Sequence, residues 1–226
     1  MANNKRVVIL GGHGKVALLA TPKFKEAGFD VDNVIRDPDQ KSEIERVGGT
    51  PVILDMETAT IDEFAEAVRG AAAVVFSAGA GGGNPARTNA VDYEAAVRSM
   101  EGAQKAGVKR YVLVSYATAE EDLTRVDPED SFYPYVKAKA TADKHLRNTD
   151  LDYTILGPGM LTLEPASGKV AVADERGQID GAQPDDTDTS RENVAEVMVH
   201  AVAKGAGIGQ KFNFYDGQTP IAEALH

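Results

Sequence analysis

Three side chains in this sequence could together move a proton beside a carbonyl group. Tyr135 and Lys139 stand four residues apart on a predicted helix and so share one face. A phenol titrates near about 10 and is a poor acid or base at neutral pH. A neighbouring ammonium favours the phenolate and brings that value toward the working range. Ser115 ends a predicted strand, and its hydroxyl can hold and polarise a substrate carbonyl oxygen. A second pair, Tyr133 and Lys137, has the same spacing. Tyr133 precedes Pro134, and the residue before a proline is biased away from helical geometry. Tyr133 is therefore expected outside the helix, and Tyr135 is the preferred phenol of the two. An amphipathic surface pair has the same spacing, so the set gains meaning only beside a redox partner.

The first apolar run supplies a place for that partner. Arg6–Leu10 leads directly into Gly11, Gly12, His13, Gly14, Lys15, Val16 and Ala17. Both Gly12-x-Gly14-x-x-Ala17 and the Gly11, Gly14, Ala17 triplet fit a dinucleotide-binding turn. Glycine is needed where the chain turns tightly and its backbone meets a diphosphate, and a small third residue lets the helix approach the strand. The following helix start offers unpaired N–H groups and a positive dipole to phosphate. Lys15 adds a charge, and His13 is either within reach of a phosphate or a tolerated variable position. A ligand-free strand–helix turn would also use these glycines; position after the first strand and before a helix is the context that favours a cofactor.

Arg36 stands at the end of the second predicted strand. An arginine there suits the 2′-phosphate of NADP, whereas an acid would take the ribose hydroxyls of NAD. Asp37 follows directly, so NADP is favoured and NAD stays possible.

Stepping from residues to elements, short apolar runs alternate with amphipathic stretches. Strands are expected at Arg6–Leu10, Val31–Ile35, Pro51–Leu54, Ala72–Phe76, Lys109–Val114 and Asp152–Leu156. Helices are expected between them, at Lys15–Ala27, Pro38–Val47, Ile61–Val68, Asn89–Ala106 and Pro134–Arg147. Solid Val/Ile/Leu strands separated by helices belong to a parallel sheet covered on both faces. The expected fold is thus α/β, a doubly wound parallel sheet of Rossmann-like type. Beyond Gly157 the rhythm breaks. Residues 158–189 are rich in Gly, Pro, Ala and Asp, with a possible strand at Lys169–Ala173, before a helix at Arg191–Ala203 and a last strand at Gln210–Tyr215. Residues 1–226 read as a single domain, with 157–226 forming a small loop-rich C-terminal lobe that frames the substrate.

Composition excludes several classes. The 226 residues carry 24 Lys and Arg against 35 Asp and Glu, a net charge of −11. A field of that sign opposes general nucleic-acid or anionic-membrane binding. No cysteine is present, so thiolate metal sites, disulfides and cysteine nucleophiles are excluded. The histidines show no metal-ligand spacing, and no metal is expected. Val7–Leu10 is too short for a signal-peptide core, no stretch reaches the ~20 apolar residues of a membrane span, and a cytoplasmic location is expected. The acidic runs Glu120-Glu121-Asp122, Asp127–Asp130 and Asp185-Asp186 with Asp188 read as solvated loop surface.

Taken together, the segments GGHGKVA (11–17), VIRDP (34–38), LDM (54–56), VVFSAG (74–79), AGVKRYVLVS (106–115), YVKAK (135–139), LDYTILGPG (151–159) and FYDGQTPI (214–221) resemble the short-chain dehydrogenase/reductase superfamily. The likeness is to its atypical branch of small NAD(P)H-binding proteins related to the epimerase/dehydratases. It implies that Asp55 and Met56 lie at the adenine and that Ser77, Ala78 and Gly79 line the cofactor. It also places Pro158 and Gly159 near the nicotinamide and Arg36 at the 2′-phosphate. Lys139 followed by Asp143 matches the family and supports Tyr135. Gly157 stands where the family usually has arginine, and Tyr116 where many relatives have a small residue. The glycine-rich loop Gly79–Pro85 is expected to be mobile without cofactor. The function implied is an NADP-dependent reductase, dehydrogenase or epimerase acting on a small carbonyl or hydroxyl compound. The alternatives are a non-catalytic NADP(H)-sensing regulator and a flavin or quinone reductase.

Overall fold

The structure is a computed structural model that describes residues 5–80 and 84–226. In chain order its first half contains β1 (Arg6–Leu10), α1 (Lys15–Glu26), β2 (Asp30–Ile35), α2 (Lys41–Arg46), β3 (Thr50–Ile53), α3 (Ile61–Val68), β4 (Ala73–Phe76), α4 (Pro85–Thr88), α5 (Ala96–Lys105) and β5 (Arg110–Val114). The second half adds α6 (Ala119–Arg125), α7 (Tyr133–Arg147), β6 (Asp152–Pro158), β7 (Met160–Thr162), β8 (Lys169–Ala173), β9 (Asp188–Ser190), α8 (Arg191–Lys204), β10 (Gln210–Asp216), β11 (Thr219–Pro220) and α9 (Ile221–Ala224). A 3₁₀ turn at Pro38–Gln40 precedes α2, and a π-helical stretch at Asn89–Ala95 joins α4 to α5.

The main sheet has the order β11-β8-β10-β6-β5-β4-β1-β2-β3. All its pairs are parallel except those made by β8, which runs antiparallel to β10 and β11. This is the doubly wound Rossmann-like sheet expected from the solid apolar runs. The chain passes from β1 outward through β2 and β3, then returns to place β4 on the other side of β1. The crevice beyond the carboxyl ends of β1 and β4 is therefore the switch point where such sheets bind ligands.

Alternate residues of β1 divide the core. Val7 and Ile9 pack with Ala17, Phe24, Val194 and Met198 under α1 and α8, while Val8 and Leu10 pack with Phe64, Met100 and Leu146 under α3, α5 and α7. Each fully buried Val, Ile, Leu, Phe or Met among them contributes roughly 1.5–3 kcal/mol by leaving water. Two apolar faces make the central strands read as continuous runs rather than alternating ones.

Several expectations are corrected. Glu120, Glu121 and Asp122 form the first turn of α6 rather than a loop. Only Ala119 of α6 is buried, so the segment carries no apolar period to read, and its acids suit a helix N-terminus. Tyr133 is the first residue of α7, not outside it. Its N–H bonds the Asp130 carbonyl at 3.0 Å and the Asp130 carboxylate takes the Phe132 N–H at 2.7 Å, a turn that sets helical geometry against the local bias of Pro134. The single helix expected over Asn89–Ala106 contains the π stretch. The lobe is also more ordered than its composition suggests: β7 pairs with β9, Met160 opposite Asp188 and Thr162 opposite Ser190. The expected mobility of the Gly79–Pro85 loop concerns Gly81–Gly83, which lie outside the described residues.

Candidate cofactor cleft and active site

The turn after β1 is shaped by close approach. Gly11 has φ +83°, and a Cβ there would stand 2.6 Å from the Ala78 Cα. A Cβ on Gly12 would meet the Asn33 Cβ at 2.5 Å. Buried Asn33 ties the turn to the helix behind it, donating through Nδ2 to the Gly12 carbonyl and to Thr21 Oγ1, both at 2.9 Å. Gly14 is the N-cap of α1, has no side chain to cap it, and no acid lies in the first turn. The N–H groups of Gly12 and Gly14 are used within the fold, to Val34 at 2.8 Å and Gly11 at 2.9 Å. The next helical N–H groups open toward the crevice, the arrangement that attracts an anion.

Two connected cavities run across the carboxyl edge of the sheet. One of about 310 Å³ brings together Gly11, His13, Gly14, Arg36, Asp55, Met56, Ser77, Ala78 and Gly79. Another of about 480 Å³ shares Gly14, Ser77, Ala78 and Gly79 and adds Lys15, Val16, Asp92, Ser115, Tyr135, Lys139 and Arg191. A third, about 420 Å³, lies beyond Tyr135 and is lined by Tyr116, Phe132, Pro158, Gly159, Met160 and Leu161. Thus all the expected site residues except Gly12 line the cleft; Gly12 serves it from behind, against Asn33.

At the outer end, Arg36 Nη1 lies 2.8 Å from Glu57 Oε1, and Arg87 Nε lies 2.9 Å from the same oxygen. Glu57 holds two guanidiniums side by side at the mouth of the first cavity. His13 Nε2 is 2.6 Å from Glu43 Oε2, so its ring faces α2. No sequence spacing announces Glu57 or Arg87, because their association exists only in three dimensions.

At the inner end, Lys139 is almost wholly buried and donates to the Val114 carbonyl at 2.7 Å. Its Nζ is 3.7 Å from Asp92 Oδ1, while Asp92 Oδ2 accepts the Ala80 N–H at 3.0 Å. Burial pulls the lysine's pKa down, but Tyr135, Asp92 and Asp143 outweigh it and hold it above the usual value, so the ammonium stays charged. For Tyr135, burial raises the phenol and outweighs the opposing effect of Lys139, with Asp92 and Asp143 adding to the rise. The expected lowering toward neutrality is therefore reversed in direction, because desolvation of the phenolate costs more than one ammonium returns. Tyr135 holds its proton at neutral pH.

Ser115 Oγ donates to Asp143 Oδ2 at 2.9 Å, and Lys211 Nζ meets the same oxygen at 2.9 Å. With its proton committed to a carboxylate, the hydroxyl is left as an acceptor. The ring of Tyr135 stacks on Tyr116 at 5.6 Å between centroids and contacts Phe132 at 5.4 Å. Burial, aided by Asp122, pushes the Tyr116 phenol far above its usual range, so it too stays neutral. A Cβ on Gly157 would lie 2.2 Å from Asn213 Oδ1. The missing family arginine is thus excluded by the Asn213 side chain, which bonds the Asp174 carbonyl at 3.0 Å.

Asp92 had a readable signal. It falls on the buried stripe Thr88, Val91, Asp92, Ala95, Ala96 and Ser99, where a carboxylate is out of place unless it has work in a site. Among the described residues, no group of three or more His, Asp or Glu is placed to hold a metal ion, and no helix is long and apolar enough to cross a membrane.

A switch-point cleft with an uncapped, glycine-entered helix defines a dinucleotide-binding protein of the Rossmann-like class. The comparison with known proteins agrees: residues 11–204 match the NAD(P)H-binding family, and the chain belongs to it. It is 32% identical over 224 residues to the Bacillus subtilis protein named "Uncharacterized sugar epimerase YhfK", covering 97% of this chain and 98% of that one. Among solved structures, a Bacillus halodurans protein provisionally described as an NAD-dependent epimerase/dehydratase superimposes with a TM-score of 0.83 at 30% identity, over 97% of both chains. The oxidoreductase ylbE from Lactococcus lactis has a TM-score of 0.82 at 27% identity, over 97% of this chain and 94% of that one. The likeness to the atypical dehydrogenase/reductase branch seen in the sequence is confirmed by these neighbours.

Proposed function

We propose that this protein is an NADP(H)-dependent oxidoreductase that reduces a small carbonyl compound, with Tyr135 as the proton donor. The observation that carries the reading is one continuous cleft that joins an uncapped helix start to a buried Tyr135–Lys139 pair. The amides at the start of α1 and the side chain of Lys15 would hold the diphosphate. Arg36, with Arg87 beside it, would take the 2′-phosphate in place of the Glu57 carboxylate. Gly11, Gly14, Ala78 and Gly79 leave the backbone open along that path, and Asp55 and Met56 stand at its adenine end.

When bound, the dihydronicotinamide supplies the hydride to the carbonyl carbon. Tyr135 gives its phenolic proton to the oxygen as negative charge gathers there, and regains one from solvent. Lys139 stabilises the transient phenolate, having been fixed by the Val114 carbonyl and balanced by Asp92. Asp143, paired with Lys211 behind this pair, takes the Ser115 proton in a hydrogen bond and so leaves the serine offering the cleft a lone pair. Pro158 and Gly159 form the floor beside Tyr135. The substrate is a small molecule, and the cytoplasm is the expected setting.

The test is a parallel fluorescence titration with NADPH and NADH, followed by turnover of Tyr135→Phe. The expected result is tighter binding of NADPH, unchanged binding in the variant, and loss of most carbonyl-dependent NADPH oxidation. Preference for NADH would move the weight from Arg36 to Asp37, and equal turnover in both proteins would remove Tyr135 from the chemistry.

A further inference from the structure

Among the described residues Arg191 has no counter-ion, and it lines a cavity in which cations outnumber carboxylates. It opens α8, half-buried, and its Nη1 donates to the main-chain carbonyls of Leu161 at 2.9 Å and Thr162 at 2.7 Å. Those carbonyls belong to β7, so the lobe holds the guanidinium in place. The carboxylates of Glu192, Asp216 and Asp92 are engaged elsewhere. Glu192 pairs with Lys23 at 3.1 Å and takes the Ala166 N–H at 3.1 Å. Asp216 accepts from the Ser190 N–H at 2.9 Å and from Asn193 at 2.6 Å. Asp92 faces Lys139 and the Ala80 N–H. Among the described residues, no ion pair is made by Arg191.

The cavity that Arg191 lines contains Lys15, Lys139 and Arg191 against Asp92 alone, three cations to one carboxylate. This local excess occurs in a chain of net charge −11. Arg191 stands at the seam of two cavities: Leu161, which it grips, lines both this one and the aromatic-walled one with Phe132 and Tyr135. Lys15 and the start of α1 lie at the glycine turn, where a diphosphate already has its partners. A guanidinium fixed by two carbonyls keeps other N–H groups for a planar oxyanion, and it binds a carboxylate in a set orientation.

We propose that Arg191 holds a carboxylate of the substrate, so that the enzyme acts on carbonyl compounds bearing a negative charge. This inference rests on the cofactor reading and names the substrate class of the same site. It also supplies from the start of α8 the charge that Gly157 cannot supply from β6.

The experiment compares benzoate with benzamide, a charged and a neutral probe of nearly equal shape, titrated calorimetrically into the full chain saturated with NADPH. NADPH binding is measured first in each protein. Benzoate is expected to bind at least about tenfold more tightly than benzamide. Arg191→Gln is expected to remove that difference while leaving NADPH affinity within about twofold, and Arg191→Lys to keep part of it. Thermal melting confirms that both variants are folded. Equal affinity for the two probes in the wild-type protein would overturn the proposal. So would Arg191→Gln that weakens NADPH and keeps the benzoate preference, since the cation would then belong to the diphosphate. Identical behaviour of folded Lys and Gln variants would overturn it as well. Failure to bind NADPH would instead refute the cofactor reading, and the probe comparison would then be made on the protein alone.

Discussion

Two glycines in the turn after β1 can be separated by what an added methyl group would strike. At Gly14 the backbone is ordinary, φ −62° and ψ 149°, and a Cβ would stand 3.2 Å from the Gly11 carbonyl and 3.6 Å from that of Ser77. Gly14→Ala loses conformational freedom in the unfolded chain, worth about 0.4–1 kcal/mol in its favour. Against this stand a tight contact and a poorer helix cap. The net change in stability is therefore expected within about 1 kcal/mol, a shift in Tm of no more than about 4 °C at this chain length. The methyl group would lie at the wall shared by the first two cavities, where a diphosphate must come close to main-chain amides. Loss of about 1.4–2.8 kcal/mol of binding, ten- to a hundredfold in Kd, is expected. At Gly12 the obstacle is Asn33 close to its backbone: its Cβ at 2.5 Å, its Cα at 2.7 Å and its carbonyl carbon at 2.8 Å. Gly12→Ala must part β1 from β2, and overpacking of this kind costs about 1–3 kcal/mol, or about 3–10 °C in Tm. Thermal denaturation and NADPH fluorescence titration of the two variants give both readouts. A Gly14→Ala protein that binds NADPH as the parent does, or a Gly12→Ala protein that melts with the parent, would refute the reasoning.

Because burial raises the Tyr135 phenol, its protonated form persists below that raised value and is lost only as pH rises through it. Reductive turnover is therefore expected to show no fall attributable to this group between pH 6 and 9, roughly a unit and more below an ordinary phenol; a decline through that window that Tyr135→Phe abolishes would contradict it. Asp143→Ala leaves the Lys211 ammonium buried without its carboxylate, and a loss of about 3–5 kcal/mol is expected by denaturant unfolding. Asp143→Ala combined with Lys211→Met should regain much of that loss, and a double variant no more stable than the single would count against the pairing. Arg87→Gln should weaken NADPH by about tenfold while leaving NADH nearly unchanged, as Arg36→Gln should. Equal losses for both cofactors would show that the two arginines do not meet the 2′-phosphate.

The sheet is legible in the sequence because its central strands are buried on both faces. Arg6–Leu10 and Lys169–Ala173 are bounded in the structure as expected, and the helices between the strands end at glycines such as Gly28, Gly70 and Gly107, each with positive φ. What escapes is structure held by other forces. The pair β7 and β9 is short and pinned by Arg191 and by Ser190 Oγ, which donates to the Glu164 carbonyl at 2.6 Å. These bonds join residues far apart in the chain, and no local pattern announces them. The same holds in the site. The glycine turn and the Tyr135–Lys139 pair follow from adjacency and helical spacing. Glu57 with Arg87, and Lys211 with Asp143, depend on which elements become neighbours. The direction of the Tyr135 shift depends on depth of burial, which spacing does not carry.

The central claim is that a diphosphate sits against the amides of the β1–α1 turn. Amide ¹H–¹⁵N chemical shifts followed during titration with NADP⁺ test it directly. The account predicts saturable shifts at His13, Lys15 and Val16 and at Ser77–Gly79, with Lys23, Val199 and Ala203 on the opposite, α1–α8 face unmoved. Shifts confined to that other face, or none at a saturating concentration, would contradict it.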